Sequence, residues 1–370
     1  MLAGAESGLE FPVSPFFIRA LNKISYIQSQ FKSSVGFELN LINPKTFCEK
    51  IQWLKLFNQD PLVTLCSDKV AVKNYVREKL GRDICIPTLK TFRSVADFNL
   101  AEMPPKFVLK LNNGSGAMLF YEGPHSFSEA RIKELIEDWL GPTFSYYAQN
   151  YEWAYRYIQP TMLVEPLVPG LGKLDDYKFL CFHGEPKLLY VATRISGVLH
   201  VDYFDLEWNR LPYRRGSNAP IPYAVARPEK FAEMCAVART LSADFSFVRV
   251  DLYYHEHQVL FGELTFYPGN GISPFKPDHV EDELGALLHL PEHALLFSEA
   301  TGRAVEVPRE ALPALLDMAE PLSVSAGAKT GKVACYWEDK VTRMQTSFSW
   351  RVTSPLRFVK RTLRRLRPKA

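Results

Sequence analysis

The sequence predicts a mixed α/β (α+β) protein with two or three packed lobes. Three observations favour this class: a strand–turn–strand pattern over residues 247–266, a second one over residues 175–194, and amphipathic helical patterns such as Glu129–Leu140. The chain has 370 residues, of which 47% are hydrophobic and 23% are charged. It can therefore bury a sizeable core, and its composition is not that of a disordered protein.

The net positive charge of the chain comes from its C-terminal residues. The formal net charge is +3, but the last twenty residues hold eight basic and no acidic side chains, which leaves a charge of −5 on residues 1–350. A nucleic-acid-binding surface on the body of the protein is therefore not expected.

Cysteine spacing and hydropathy predict a reduced, cytoplasmic protein. The six cysteines, at positions 48, 66, 85, 181, 235 and 335, show neither C-x-x-C pairs nor histidines at zinc spacing. No segment reaches the ~18 apolar residues of a membrane-spanning helix, and the first residues lack the pattern of a secretion signal.

The hairpin over residues 247–266 is predicted to carry the chemistry. Asp251 and Glu263 project from adjacent antiparallel strands onto one face, and Arg249, two residues before Asp251, shares that face. Two carboxylates brought together disfavour their ionised forms unless cations offset them. Oxygen ligands on neighbouring strands suit Mg²⁺, which leaves its other positions to phosphate and water. The alternative is a surface hairpin with scattered charges. The Pro268-Gly269 turn that follows the hairpin favours a metal–nucleotide site, because such a turn directs the backbone toward whatever the preceding acid binds.

A loop of small residues, Asn112-Asn113-Gly114-Ser115-Gly116, follows the apolar strand pattern that ends at Lys110 and Leu111. Small residues let backbone N–H groups approach phosphate oxygens, and a lysine before them adds a positive charge. The spacing is not that of a Walker A motif, and the same residues are typical of an ordinary hairpin turn. The lysine and the later acid pair favour phosphate binding.

Several separated motifs resemble one enzyme superfamily. Arg249-x-Asp251, Glu263-x-Thr265 and Pro268-Gly269 resemble the metal-binding hairpin of ATP-grasp ligases, the superfamily of D-alanine ligases and biotin carboxylases. The segments NPKTFCEKIQWLK, DYKFLCFHGEPK and GELTFYPGNG occur in the order of the TupA-like ATP-grasp family, which is linked to teichuronopeptide and other bacterial surface-polysaccharide synthesis. The resemblance covers roughly residues 39–285.

The resemblance implies an ATP-grasp fold, with two lobes closing on Mg-ATP, and it assigns the site residues. Arg249 and Lys178 are the expected catalytic residues, and Arg194 is a further basic candidate. The expected nucleotide-binding residues are Lys69, Lys110, Asn113, Gly114, Ser115, Gly116, Glu165, Pro166, Val168 and Lys178. The expected metal ligands are Asp251, Glu263 and Thr265. Because a threonine hydroxyl is a weaker ligand than the asparagine common in the superfamily, a second Mg²⁺ is in doubt.

Four segments are predicted along the chain. Residues 1–65 form an N-terminal helical segment, 66–160 the first lobe, 161–290 the second lobe, and 291–370 a C-terminal helical extension with a basic amphipathic tail. In detail, we expect a helix from 68 capped by Ser67, a strand over 84–92, and two short helices over 286–297 and 309–322. The aromatic stretch 144–157 is expected to be a lobe interface, with sugar or base stacking as the alternative.

The predicted function is carboxylate–amine ligation through an acyl phosphate. The resemblance implies ATP and Mg²⁺ as cofactors, with an amino acid or peptide amine and a uronic-acid-bearing glycan or its precursor as substrates. A metal-dependent glycosyltransferase, a sugar kinase and a non-catalytic nucleotide-binding scaffold remain as alternatives, since the first two also place acids around metal-bound phosphates. We expect a cytoplasmic protein, with a peripheral location at the inner face of the membrane if the tail binds lipid.

The basic tail generates a first testable prediction. Leu356, Val359, Leu363 and Leu366 recur at helical spacing among arginines and lysines, a pattern that suits an anionic membrane surface as well as it suits a flexible charged tail. If it binds lipid, deletion of 354–370 weakens the free energy of binding to anionic vesicles by ~1 kcal/mol per basic side chain near the surface. Co-sedimentation with the vesicles measures this binding. Neutral vesicles are the control, and equal anionic-vesicle binding with and without the tail contradicts the membrane interpretation.

Overall fold

Two antiparallel β-sheets form the frame of the described part of the protein. The structure is a computed structural model, and it describes residues 24–141, 144–168, 175–298 and 303–317. All of these lie within the first of two units into which the chain divides, Met1–Ser323. The predicted basic tail lies outside the described residues.

The helices fall before, between and after the strands of the two sheets. In the described ranges they are α1 (Ile24–Val35), α2 (Phe47–Phe57), α3 (Pro61–Ser67), α4 (Val72–Leu80), α5 (Glu129–Leu140), α6 (Tyr146–Asn150), α7 (Phe231–Ser242), α8 (His279–Leu287) and α9 (Leu312–Asp317). None of these helices is long and apolar enough to cross a lipid bilayer.

The first sheet has four strands in the order β1-β4-β2-β3. Its strands are β1 (Lys90–Phe92), β2 (Phe107–Leu111), β3 (Met118–Tyr121) and β4 (Met162–Pro166). One face is covered by α5, whose Ile132 and Ile136 are fully buried against Phe107, Leu109 and Val164. The amphipathic pattern predicted for Glu129–Leu140 is thereby confirmed.

The second sheet has six strands in the order β11-β10-β5-β6-β7-β8. Its strands are β5 (Asp176–Phe182), β6 (Glu185–Ile195), β7 (Val198–Phe204), β8 (Arg210–Leu211), β10 (Phe247–His255) and β11 (Gln258–Thr265). Alternate residues of β10, such as Val248 and Val250, are buried in the same core as α7. The residues between them point to the other face of the sheet.

Two short strand pairs complete the architecture. β9 (Arg214–Arg215) pairs with β12 (Phe275–Lys276), and β13 (His293–Ser298) pairs with β14 (Arg303–Pro308). The predicted helix over 286–297 is therefore wrong in its second half, where Ala294 and Leu296 alternate inward along a strand. Alternation over six residues could not be separated from a helical pattern until the partner strand was known. Of the helix predicted over 309–322, the part Leu312–Asp317 is confirmed as α9, and residues 318–322 lie outside the described residues.

Two local sequence predictions are also corrected. Ser67 does not cap the next helix; it ends α3, where its hydroxyl donates to the Val63 carbonyl at 2.8 Å. Asp68 takes the capping role, since its carboxylate accepts from the Val70 N–H at 2.8 Å and the chain enters α4 only at Val72. The strand predicted over 84–92 is limited to β1, because only those residues pair along the edge of β4.

The N-terminal helix α2 is tied to α8 near the end of the second lobe. Glu281, which is buried, accepts from the backbone N–H groups of Cys48 (2.9 Å) and Phe275 (2.8 Å). Lys50 donates to the carbonyls of Gly285 (2.8 Å) and Leu288 (3.0 Å). The motif NPKTFCEKIQWLK thus leads into and forms most of α2, which packs on α8.

The close approach of α8 to the start of α2 generates a stability prediction. A Cβ atom on Gly285 would overlap the Lys45 carbonyl oxygen, and the backbone there cannot yield without moving α2. We expect Gly285→Ala to lower the free energy of unfolding by about 2–3 kcal/mol. Urea denaturation measures this, with the exposed neighbour Ala286→Ser as the control, and equal effects of the two changes would contradict the packing.

Candidate active site

A single row of side chains crosses five strands of the second sheet. Direct cross-strand pairing joins Glu263 to Asp251, Asp251 to Lys178, Lys178 to Tyr190, and Tyr190 to Tyr203. Directly paired residues project from the same face, so the row presents two acids, a lysine and two tyrosines to one side. The predicted alignment of Asp251 with Glu263 is therefore confirmed.

Asp251 lies at the centre of an ion cluster. Its side chain is only 1% exposed, and its two oxygens accept from Arg249 (2.6 Å each, from Nε and Nη2) and from Lys178 Nζ (2.5 Å). Burial raises the pKa of the Asp251 carboxyl, and the two cations oppose that effect. In return, Asp251 raises the pKa values of Arg249 and Lys178 against the lowering effect of burial, so both cations stay charged.

Glu263 is the more accessible of the two acids. Its side chain is 41% exposed, and its Oε1 accepts from Arg249 Nη2 (3.0 Å) and from the Thr265 hydroxyl (2.9 Å). Burial of the carboxyl would raise its pKa, but Lys69, Arg249 and Lys178 together lower it to about 2. Glu263 is therefore ionised at neutral pH, and its Oε2 accepts no hydrogen bond from any described residue.

A second ion cluster lies in the first sheet. Glu165, at the end of β4, accepts from Lys110 of β2 at 2.7 Å and is also paired with the buried Lys73 of α4. Burial would raise the pKa of Glu165, but Lys110 and Lys73 lower it below its usual value. The end of β4, which holds the predicted nucleotide-binding residues Glu165 and Pro166, is thus bonded to the lysine that precedes the small-residue loop.

The small-residue loop 112–116 connects β2 to β3. Gly114 has φ +106° and its carbonyl accepts from Lys69, while Ser115 at the tip faces the space between the sheets. A Cβ on Gly114 would lie 2.6 Å from the Tyr146 ring, so no larger residue fits there. Asn113 is buried, and its amide donates to the Ile158 carbonyl at 3.4 Å rather than facing the cleft.

A cleft of about 770 Å³ separates the two sheets. Five of its described lining residues are cations and two are acids; they are Lys110, Lys178, Arg194, Arg215 and Arg249, with Asp176 and Glu263. The formal charge of the lining is therefore positive, which favours anionic ligands. Apolar surface from Met118 and Phe120 faces Leu199 and Val201 across the space.

The donor set fits a hard cation held largely by nucleotide phosphates. Mg²⁺ uses one or two carboxylates and completes its shell with phosphate and water. Glu263 offers the uncommitted Oε2, and Asp251 lies directly opposite it. Within the described ranges no cluster of three or more His, Cys, Asp or Glu side chains forms, so an all-protein metal cage is not the arrangement here.

The structure brings most of the predicted charged residues together. Lys110, Ser115, Lys178, Arg249 and Glu263 line one cleft, and Lys69 is close enough to Glu263 to lower its pKa. Arg194 also lines it, but lies farther along β6, opposite Leu199, where it donates to the Gly197 carbonyl. Pro166 and Val168 lie at and just after the end of β4, and their predicted contact with a base stays a prediction.

Tyr190, Tyr203 and Arg215 are among the lining residues that the sequence analysis missed. The two tyrosine rings are 5.2 Å apart, and the Arg215 guanidinium donates to the carbonyls of Ser273 (2.6 Å) and Pro268 (2.7 Å). The tyrosines could have been found by extending the pairing register from Lys178. Arg215 carried no such signal, because it reaches the cleft through the two-residue strand β9.

The unequal burial of the two acids generates a prediction that separates them. Asp251→Asn leaves Arg249 and Lys178 buried without their charge partner, and we expect a loss of about 3 kcal/mol in unfolding free energy. Glu263→Gln changes a half-exposed group, so the free energy of unfolding should change by under about 1 kcal/mol. Mg²⁺-dependent ATP turnover should nevertheless be lost. Urea denaturation and ADP release are measured, with the exposed Glu229→Gln as control; equal destabilisation by both changes would contradict the assigned burial.

Comparison with known proteins identifies the family to which the chain belongs. A family profile described as TupA-like ATP-grasp matches residues 49–289. None of the curated proteins matches the sequence. Among solved structures, D-alanine–D-alanine ligase from Helicobacter pylori is 17% identical and has a TM-score of 0.32, and the alignment covers 61% of this chain and 62% of that one.

Two further solved structures are similar at the same low level. D-alanine–D-alanine ligase from Bacillus anthracis is 14% identical, with a TM-score of 0.38 and coverage of 60% of this chain and 66% of that one. D-cycloserine synthetase DcsG is 18% identical, with a TM-score of 0.31 and coverage of 65% and 73%. The chain thus spans less than two thirds of the length of both D-alanine ligases, and such TM-scores carry no argument about it. The profile match, which extends over well over half of the sequence, shows that the chain belongs to the TupA-like ATP-grasp family.

Proposed function

We propose that the protein is an ATP-dependent carboxylate–amine ligase that forms an amide through an acyl phosphate. The observation that carries the proposal is the cross-strand row from Glu263 to Tyr203, which joins an acidic metal-binding end to a cationic and aromatic end within one cleft. Such a row can hold a nucleotide and a second anionic substrate side by side. Family membership supports the ATP-grasp chemistry.

The nucleotide end is formed by residues from both sheets. Glu263 and Asp251 are the proposed metal ligands, with Thr265 orienting Glu263 through its hydroxyl. When bound, Mg-ATP supplies an electrophilic γ-phosphorus and ADP as the leaving group. Lys69, Lys110 and Lys178 offset the negative charge of the phosphates, and the N–H groups of 114–116 lie beside Lys69, whose ammonium donates to the Gly114 carbonyl.

The proposed reaction has two steps, and the protein acts on charge in both. A carboxylate oxygen of the substrate attacks the γ-phosphorus, the bond to ADP breaks, and Lys178 lies beside the transferring group. An amine then attacks the acyl carbon, phosphate leaves, and the amine gives up a proton to solvent. Arg249 stabilises the oxyanion that develops on the acyl oxygen, since its guanidinium is fixed by Asp251 beside the cleft.

The far end of the cleft supports a carboxylate substrate over an amine. Tyr203, Arg215, Ser217, Asn218 and Ser273 line this end, and none of them is acidic. Arg215 donates to carbonyls and forms no ion pair with any described carboxylate. An ammonium group would lack a counterion there, whereas a carboxylate would meet two guanidiniums, from Arg215 and Arg249.

The finer identity of the substrates follows from the family resemblance. We propose a uronic-acid-bearing surface-polysaccharide glycan or its precursor as the carboxylate, and an amino acid or peptide as the amine. The Ser217 hydroxyl, the Asn218 amide and the Tyr190 ring all line the cleft, and such groups are suited to a sugar. We place the reaction in the cytoplasm, with the basic tail holding the enzyme at the inner face of the membrane.

Replacement of Arg249 tests the reaction type. Arg249→Lys keeps a charge beside Asp251 but loses the forked geometry, so Mg-ATP should bind nearly normally while amide formation falls ~100-fold. Hydroxylamine should trap the acyl phosphate of the wild-type protein as a hydroxamate when ATP and a panel of uronic acids are supplied. Arg239→Lys, at an exposed ion pair with Glu185, is the control.

The outcome that contradicts the proposal is equally specific. If ATP is consumed without hydroxamate or amide, and a phosphorylated or glycosylated sugar accumulates, the protein is a kinase or a transferase. Nucleotide binding without any turnover across the panel would instead favour a scaffold role.

A further inference from the structure

The turn after the metal-binding hairpin has an unusual backbone. Gly269, Asn270 and Gly271 are consecutive residues with φ of +58°, +54° and +64°. A left-handed conformation is accessible to glycine but is unfavourable for most other residues, including Asn270 to a lesser degree. Three such residues in succession persist only where the surroundings hold them.

Helix α2 supplies the groups that hold this turn. The Gln52 amide donates to the Asn270 carbonyl at 2.8 Å, and the Lys55 ammonium donates to the Asn270 side-chain oxygen at 2.9 Å. A Cβ on Gly271 would lie 2.8 Å from Gln52 Nε2 and 2.9 Å from a methyl group of Ile51. The turn therefore fits against α2 with no room for a larger residue.

Lys55 is an improbable residue for a core position. Its side chain is 2% exposed in a helix that is buried on nearly all sides, and burial lowers the pKa of its ammonium. Glu152, 3% exposed, opposes that effect electrostatically. Because buried ion pairs often contribute less stability than apolar residues of the same size, fold stability alone does not explain this lysine.

Glu152 also acts electrostatically on the residues near the small-residue loop. Burial raises the pKa of Glu152, and Lys55 and Tyr146 oppose that effect. The Tyr146 ring packs against Gly114 of the small-residue loop. Lys55 is thus bonded to Asn270 on one side and lies in the electrostatic field of Glu152 on the other.

We propose that Lys55 is a positioning residue: it holds the Pro268–Gly271 turn in its left-handed conformation and thereby fixes the wall of the cleft next to Glu263 and Arg215. The consequence for catalysis rests on the proposed ligase function, but the effect on the turn does not.

The geometry explains how this turn acts on the site. Glu263 and Thr265 precede it by only a few residues, so a shift of the turn moves the end of β11. Arg215 is fixed by the carbonyls of Pro268 and Ser273 on either side of the turn. Loss of the Lys55 contact would therefore misplace the acid at one end of the cleft and the arginine at the other.

The test compares two lysines of the same helix. Lys55→Met removes the ammonium and keeps the length of the side chain, while Lys50→Met removes a lysine that also donates to carbonyls but lies away from the cleft. Hydrogen exchange of the peptide spanning 267–273 is followed by mass spectrometry on the nucleotide-free proteins. We expect exchange about tenfold faster in Lys55→Met, with a melting temperature equal to or above that of the wild type, and unchanged exchange in Lys50→Met.

Steady-state kinetics supply a second readout that a purely structural role would not move. Lys55→Met should lower kcat for ADP release about tenfold while KM for ATP stays within about twofold, because misplacement affects the reacting geometry more than binding. Gln52→Met, which removes the other donor to Asn270, should change exchange and kcat in the same direction and serves if Lys55→Met does not fold.

Each outcome decides the proposal. Unchanged exchange of the turn in folded Lys55→Met overturns it, as does an equal effect of Lys50→Met; if Lys55→Met does not fold, unchanged exchange in Gln52→Met overturns it. If the wild-type protein shows no ATP turnover with any carboxylate, the ligase function fails, and the exchange data still decide whether Lys55 holds the turn.

Discussion

The buried carboxylate of Asp251 is the charge on which the site depends. It is the common partner of Arg249, two residues before it on β10, and of Lys178, directly opposite it on β5. Without it, two largely buried cations would be left without their charge partner, at a cost of several kcal/mol. With it, the cations stay charged and fixed, and they can act on the developing charge of a substrate without having to be reorganised first.

A gradient of charge along the cleft follows from the strand register. The acids lie on β10 and the edge strand β11, the lysine on β5, and the tyrosines on β6 and β7. The side chains in the row therefore change from acidic to basic to aromatic across the sheet. Arg215 closes the far end from a separate two-residue strand. Helix α2 then holds the turn after β11 through the bonds that Gln52 and Lys55 donate to Asn270.

Local periodicity was enough to predict the parts of this fold that depend on few residues. The hairpin of β10 and β11, the facing of Asp251 and Glu263, and helix α5 follow from alternation and helical spacing alone. The errors fall where distant contacts decide: β13 is a strand because β14 pairs with it, and Asp68 rather than Ser67 caps the chain because α3 continues through Ser67. Arg215 and Lys55 could not be assigned from the sequence, since their roles depend on which carbonyls the folded chain brings to them.

Transfer of isotope from the carboxylate substrate tests the central claim most directly. If the row from Glu263 to Tyr203 activates a carboxylate as an acyl phosphate, a substrate labelled with ¹⁸O in its carboxylate must pass one labelled oxygen to inorganic phosphate when the amide forms. Mass spectrometry of the released phosphate should then show one ¹⁸O atom per turnover. Phosphate free of label, with both labelled oxygens retained in the product, would contradict the account.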